Sequence, residues 1–236
     1  MNSSTLETVG EEYTYLPPDS ISQIIPDRDV ILVVGPSQHK ILVYSHFLER
    51  ISPVFRAMLN APMEEGEALA SRHDDDYPVA ISLPADKAEP MEQVLRTLYG
   101  SDPSASRFSM NEAKEIAIVA EKYGMAERLE VFPSFWLHKA TRTIVSEATE
   151  DDWNAVVVAY LLKNEQEFFK TQEFQLTDTR LLKFSGSFHD KYTGMRLGMA
   201  IEELRSASLR NMPGFKAVMG LCLFCFSHTT ESFTQQ

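Results

Sequence analysis

The stretch D-V-I-L-V-V-G-P-S-Q-H-K-I-L-V-Y-S-H-F-L-E-R-I-S-P-V-F-R-A-M-L, from Asp29 to Leu59, carries the strongest secondary-structure signals of the chain. Val30 to Val34 is an unbroken apolar run, which is typical of a strand buried on both faces. The turn-forming residues Gly35-Pro36-Ser37 follow, and a short segment around Ile41 and Val43 is rich in β-branched residues. This order predicts a strand, a tight turn and a second, shorter strand.

Two short helices are predicted directly after the second strand. Ser45 is a candidate cap for the first, on which Phe47, Leu48 and Ile51 share one face. Ser52-Pro53 then predicts a new helix, because a capping side chain is followed by proline at the first helical position. The apolar stripe of that second helix consists of Val54, Phe55, Met58 and Leu59.

This order of elements resembles the BTB/POZ domain, whose pattern runs D-V, then a strand ending near V-H, then L-x-x-x-S-P-V-F. Asp29-Val30, Val43, Leu48 and Ser52 to Phe55 match that pattern. Tyr44 stands where the family usually has histidine, a residue that is not catalytic there.

Two later segments extend the resemblance. L-x-x-L-Y-G at Leu95 to Gly100 and A-x-x-A-E-K-Y-G-M at Ala117 to Met125 also fit the family pattern. The resemblance implies an α+β domain over residues 27–130, in which a small mixed sheet is flanked by a helical cluster. Residues 1–26 are predicted to be a flexible lead with little room for the long first helix that builds the dimer in many animal members.

Residues 131–236 are predicted to be an all-α region, because aromatic and aliphatic residues recur at helical spacing throughout. Thr149 and Asp152 are candidate caps for a helix with Trp153, Val156 and Tyr160 on one face. This half resembles the helical tail of many fungal BTB proteins and, loosely, the BACK region of animal members.

The composition favours an acidic, folded, intracellular protein in the cytoplasm or nucleus. Of the 236 residues, 44% are hydrophobic, and the formal net charge is -12. Acidity argues against binding nucleic acid or anionic membrane surfaces, because both depend on Lys and Arg. We expect no secretory signal, and the apolar run from Leu221 to Phe226 is far shorter than the roughly 20 residues that span a bilayer.

No catalytic residue, cofactor or metal is predicted. Cys222 and Cys225, with His228 nearby, have the spacing of half a zinc site, but a second pair is missing, so buried helix residues are the preferred interpretation. The run from His73 to Asp76 lacks the alternating ligands of a calcium loop and is interpreted as a solvated loop. Nucleophile-elbow, phosphate-loop and zinc-protease motifs are also missing, so we expect no enzyme.

Met63-Glu64-Glu65 is the candidate functional motif, at the start of a predicted polar loop that ends at Asp76. In BTB adaptors of cullin-RING ubiquitin ligases, a hydrophobic-x-Glu motif follows the S-P-V-F helix, and its hydrophobic side chain enters a pocket on the cullin. The resemblance therefore implies candidate cullin contacts at Met63, Glu65 and Phe55. The alternative interpretation of Met63-Glu64-Glu65 is an ordinary acidic loop without a binding function.

Two other functions fit the same resemblance. One is a homotypic or heterotypic self-association scaffold without a ligase role, which makes a homo- or hetero-oligomer. The other is transcriptional regulation through a protein partner, since the chain has no DNA-reading module of its own.

Overall fold

The structure is a computed structural model, and it describes residues 21–26, 28–61, 64–73, 76–137, 149–173, 181–211 and 220–229. In these ranges the chain is an α+β protein with a small mixed sheet and mostly helices. The strands are β1 (Ile21–Gln23), β2 (Val30–Val34), β3 (His39–Val43) and β4 (Val79–Leu83).

The helices lie mainly after the β2–β3 pair. Those of the first half are α1 (Ser45–Ile51), α2 (Pro53–Asn60), α3 (Glu64–Ser71), α4 (Ala88–Tyr99) and α5 (Met110–Lys122). Those of the second half are α6 (Phe132–Leu137), α7 (Glu150–Leu161), α8 (Glu165–Glu173), α9 (Lys191–Asn211) and α10 (Leu223–His228). Short 3-10 turns are found at Ala105–Arg107, Ala126–Leu129 and Leu181–Ser187.

The sheet has the strand order β1-β3-β2-β4. Strands β2 and β3 pair antiparallel across a turn in which Gly35 has a φ of 73°. The outer pairs, β1 with β3 and β2 with β4, are parallel. The unbroken apolar run of β2 is explained by its position between two partners, with most of its side chains buried.

The prediction that residues 1–26 form a flexible lead is wrong for Ile21 to Ile25. Ile21 to Gln23 form an edge strand, and Ile24 and Ile25 are buried in the core. The Ile24 backbone N–H also donates to Leu42 O at 3.1 Å, which continues the pairing beyond β1. The local sequence around these residues is too short to predict a strand, because the partner of β1 lies almost twenty residues later in the chain.

The predicted cap at Ser45 is also corrected. Tyr44 is the cap residue of α1 and makes no side-chain cap, whereas Ser45 is the first helical residue. Asp29 supplies the missing acceptor: its carboxylate accepts from the Ser45 backbone N–H at 2.7 Å and from the Ser45 hydroxyl at 2.5 Å. A carboxylate before β2 therefore caps a helix after β3, which fixes α1 to the sheet.

The predicted caps at Ser52 and Thr149 are confirmed. Ser52 caps α2 with Pro53 at its start, and Gly100 ends α4 with a φ of 80°. Ser109 with Glu112 and Thr149 with Asp152 form reciprocal capping boxes at the starts of α5 and α7.

The helical half is continuous with the first half through the core. Between 131 and 229 every regular element that the structure describes is helical. Helix α5 packs against α7, and the buried Trp136 donates its indole N–H to Ala105 O at 2.6 Å. Buried residues from Ile24 to Phe226 belong to one hydrophobic cluster. Within the described ranges, no helix is long and apolar enough to cross a membrane.

A polar cluster joins the sheet edge to α4. The Glu92 carboxylate accepts from Ser22 at 2.5 Å and from Arg96 at 2.7 Å, and it lies 2.9 Å from the His39 ring. Burial raises the pKa of the Glu92 carboxyl, but the hydrogen bonds from Ser22, Arg96 and His39 outweigh this effect, so its pKa lies below the usual value. The ionised carboxylate thus stabilises the contact between β1, β3 and α4.

Glu92→Gln is expected to lower the free energy of unfolding by about 1–2 kcal/mol at pH 7. A carboxyl whose pKa is lowered by folding stabilises the fold above its unfolded pKa, and this contribution is lost as the pH falls through the folded pKa. The difference between variant and wild type should therefore shrink below about pH 4. Urea unfolding at pH 7 and in acid measures it.

Glu115→Gln is the matched control. Glu115 pairs at 2.7 Å with Lys87, whose side chain is largely exposed, so its loss should cost less than about 0.5 kcal/mol. An effect of Glu92→Gln that stays constant from pH 7 into acid would contradict the assigned role of the carboxylate.

Candidate partner-binding site

The candidate contacts Met63, Glu65 and Phe55 have different positions. Met63 lies outside the described residues. Glu65 is in the first turn of α3, where its side chain is half-buried. Phe55 is on α2 with 0% of its surface exposed.

Phe55 is therefore corrected from a surface contact to a core residue. Its ring stacks on Tyr123, with centroids 4.6 Å apart and an interplanar angle of 14°. A side chain without exposed surface makes no contact with a partner in this conformation. The alternative face of α2 is the accessible one, and it carries Pro53, Val54, Arg56, Ala57 and Asn60.

The ring of Tyr123 is itself fixed from the far side. Its hydroxyl donates to Asp86 at 2.8 Å, and Lys122 pairs with the other oxygen of Asp86 at 2.6 Å. Burial, together with the hydrogen bond and charge of Asp86, raises the pKa of the Tyr123 hydroxyl, so that it stays a proton donor. Phe55 thus stacks on Tyr123, and Tyr123 is hydrogen-bonded to Asp86. This chain of contacts connects α2 to the end of α5.

A second set of contacts fixes α2 to α1. The Arg56 guanidinium donates twice to the Glu49 carbonyl oxygen, at 3.0 and 2.8 Å. Asn60 donates to the Glu49 carboxylate at 3.1 Å. These bonds lie at the surface, so their main effect is to orient the two helices.

Helix α3 was missed in the sequence, where a polar loop was predicted. The run E-E-G-E-A-L-A-S has no apolar stripe, and half-buried Leu69 is its one large apolar side chain. Local preferences still favour a helix, because Glu64, Glu65 and Glu67 lie in its first turn, where negative charge is stabilising.

Gly66 explains how closely α3 approaches the end of α2. A Cβ atom added at Gly66 would lie 2.9 Å from Leu59 O and still closer to Ala61 O. Both neighbours are backbone atoms, so a side chain at this position would push the helices apart. The glycine therefore sets the position of Glu65 next to the end of α2, and glycine within a run of helix-forming residues is the sequence signal for it.

The resulting surface combines the exposed apolar and polar side chains of α2 with the carboxylates of α3. Val54 and Ala57 are exposed on α2, and the carboxylates of the first turn of α3 follow directly. Helix α3 has no basic residue in its last turn. We name the exposed face of α2 together with Glu64 and Glu65 of α3 the α2–α3 surface. It suits a partner that offers apolar and basic groups side by side.

The remaining candidate residues do not form a metal site. Among the described residues, no three His, Cys, Asp or Glu side chains are grouped so that they would hold a metal ion. The backbone N–H of His73 donates a hydrogen bond to the Asp76 carboxylate at 2.7 Å. Asp74 and Asp75 lie outside the described residues. The prediction that both cysteines are buried is wrong, because Cys222 is exposed and Cys225 is half-buried.

No protein-family model, curated protein or solved structure matches the chain.

Proposed function

We propose that this chain is a non-enzymatic adaptor of the BTB/POZ type, which links a protein partner to the cullin scaffold of a ubiquitin ligase in the cytoplasm or nucleus. The observation that supports the proposal best is the position of Glu65. It lies in the first turn of α3, beside Gly66, which closely approaches the end of α2. The motif of the cullin-binding adaptors that the chain resembles also follows the S-P-V-F helix.

The placement of the sequence motifs supports the same proposal. Ser52 is the cap of α2, Gly100 ends α4, and Gly124 follows α5 with a φ of 67°. Each of these residues belongs to a segment that carries the resemblance, and each has a structural role in the unit that positions the α2–α3 surface. A rigid platform of this kind suits an adaptor, because a preorganised surface loses little entropy on binding.

The proposed interface combines an apolar anchor with a carboxylate. Methionine is unbranched and adapts to irregular apolar pockets, which makes Met63 a suitable anchor by its chemistry. Glu65 would pair with a basic group at the rim of the same pocket, and Val54 and Ala57 would extend the apolar contact. The helices after residue 131 would then recruit the protein that is to be modified.

Glu65→Arg is expected to weaken binding to a cullin at least about ten-fold, because the reversed charge removes one ion pair and places like charges together. Met63→Asp should weaken binding to a similar degree by putting a charge into an apolar pocket. The measurement is the dissociation constant of the full chain with purified cullin N-terminal regions, since the sequence does not name the cullin.

Glu67→Arg is the matched control. Residues two positions apart lie on nearly opposite sides of a helix, so Glu67 faces away from the side of α3 that carries Glu65. Glu67→Arg therefore changes the net charge by the same amount without altering that side. It should bind within about two-fold of wild type if the local ion pair of Glu65, rather than the net charge of the chain, governs the contact. Undiminished binding of both Glu65→Arg and Met63→Asp, or no binding of the wild-type chain to any cullin, would contradict the proposal.

Self-association is the second candidate, in a scaffold or a transcription-regulatory protein without a ligase role. Three exposed side chains of α9, Tyr192, Met195 and Met199, follow one another at helical spacing and favour it. Sedimentation velocity at several concentrations separates the candidates. A strict monomer opposes self-association and is compatible with a monomeric adaptor.

A further inference from the structure

The two cysteines of the chain lie together at the start of α10. Cys222 is the residue before the first helical residue, and its sulfur accepts the backbone N–H of Cys225 at 3.5 Å. Residues three apart in a helical turn have Cα atoms about 5 Å apart, within the range that a disulfide spans.

The surrounding residues keep this pair at the surface. Leu223 and Phe226 have the same spacing but face inward and are buried. The Arg196 guanidinium lies 4.5 Å from the centroid of the Phe226 ring and donates to the carbonyl oxygens of Phe226 and Thr229. Helix α10 is thus anchored by one face, and the sulfur of Cys222 is accessible on another.

We propose that Cys222 and Cys225 form a redox-active dithiol that exchanges with small disulfides such as glutathione disulfide. The Cys222 thiolate attacks one sulfur of the reagent, forms a mixed disulfide and releases one thiolate, which takes up a proton. The Cys225 sulfur, after losing its proton, then attacks Cys222 Sγ and releases the second thiol. The Cys222–Cys225 bond holds two electrons fewer than the dithiol, and the two released thiols have gained them.

The roles of the two sulfurs follow from their different surroundings. The Cys225 backbone N–H, aided by the Cys225 thiol and the Phe224 N–H, lowers the pKa of Cys222 against the opposing effects of burial and the Glu165 charge. The hydrogen bond to Cys222 raises the pKa of Cys225, and burial and the charge on Cys222 add to this. Because the thiolate is the attacking species, Cys222 is the first nucleophile and Cys225 resolves the mixed disulfide.

The wild-type chain tests the proposal without any substitution. Incubation of the full chain in buffers of graded reduced-to-oxidised glutathione should convert it to a monomer without free thiols, whose intact mass is lower by the mass of two hydrogen atoms. In the reduced chain, iodoacetamide should modify Cys222 at least about ten-fold faster than Cys225 at pH 7, as located by peptide mass spectrometry.

Two variants separate the steps. Cys225→Ser should accumulate the mixed disulfide of Cys222 with glutathione, because the resolving sulfur is gone, whereas Cys222→Ser should react with glutathione disulfide at least about ten-fold more slowly than wild type. Equal alkylation rates of the two thiols, or disulfides that form only between chains, would overturn the proposal. None of these measurements depends on binding to a cullin, so a negative result for the dithiol would leave the adaptor function untouched, and the reverse also holds.

Discussion

Phe55→Ala is expected to lower the free energy of unfolding by about 3–5 kcal/mol, the cost of deleting a fully buried aromatic ring from a packed core. Phe55 has 0% exposed surface and stacks on Tyr123 at a centroid distance of 4.6 Å. The substitution removes the buried apolar area of the ring and the stacking contact, and the space it leaves is closed off from solvent.

Urea unfolding followed by tryptophan fluorescence measures this loss. Trp136 and Trp153 are both buried, so their emission reports on the core to which Phe55 belongs. The loss of Phe55 should also weaken the contact between α2 and α5, because Tyr123 then loses its stacking partner on α2.

Phe135→Ala is the matched control for the same chemical change. Phe135 on α6 is 55% exposed, and we expect its truncation to cost less than about 1 kcal/mol. If Phe55→Ala were no more destabilising than Phe135→Ala, the assignment of Phe55 to the core would be wrong, and its earlier interpretation as a partner contact would be restored.

The contrast between these two phenylalanines illustrates what periodicity alone predicts. The stripe of α2 correctly grouped Phe55 with Leu59, which is buried, but it also included Val54, which is exposed on the other side. Likewise, Phe135 and Trp136 are neighbours on α6, but only Trp136 is buried. A one-dimensional pattern indicates that a helix has an apolar side, while the neighbours in space decide how far that side extends.

Local signals were sufficient wherever a residue acts on its own neighbours. Ser52, Ser109 and Thr149 each cap the backbone three residues ahead, and Gly100 adopts a left-handed conformation directly after α4. Such features follow from the chemistry of a few consecutive residues, so the sequence contains all the information they need.

Features that depend on distant residues were missed. Asp29 caps a helix sixteen residues later, and β1 pairs with a strand whose residues follow it by nineteen positions, Ile21 opposite Lys40. Helix α3 is held by the close approach of Gly66 to the end of α2, not by an apolar stripe. For the candidate site this means that Glu65 was found by its motif, whereas the helix that positions it was not.

The two cysteines are a further case in which the local sequence predicted burial incorrectly. Their apolar neighbours favoured burial, but Leu223 and Phe226 occupy the inward face and leave the pair with the same spacing at the surface. Only one face of a short helix is buried, and the average polarity of a segment does not show which residues lie on that face. The prediction for these two cysteines was wrong for this reason.

Ser52→Ala is expected to destabilise the fold by about 2–4 kcal/mol, more than a typical helix cap, because two buried backbone groups lose their partner. The Ser52 hydroxyl donates to Tyr123 O at 2.6 Å and accepts from the Phe55 N–H at 3.0 Å. Ser52 has 0% exposed surface, so water does not replace the hydroxyl. Urea unfolding monitored as for Phe55→Ala gives the value.

Ser109→Ala provides the comparison, since it removes the same hydroxyl from the same cap position. Ser109 is exposed, and its hydroxyl accepts from the Glu112 N–H at 3.3 Å, where water is available as a substitute. We expect about 1 kcal/mol for this variant. Equal costs for Ser52→Ala and Ser109→Ala would mean that the bond from Ser52 to Tyr123 contributes nothing to stability.

The double variant Ser52→Ala/Phe55→Ala should be less destabilised than the sum of the two single variants. Ser52 bonds the backbone of Phe55 and of Tyr123, while the Phe55 ring stacks on Tyr123, so both substitutions disrupt one joint between α2 and α5. Once either contact is lost, α2 is free to shift and the other contact loses part of its value. Strict additivity would indicate two independent contacts, and the α2–α3 surface would then rest on two separate supports instead of one shared joint.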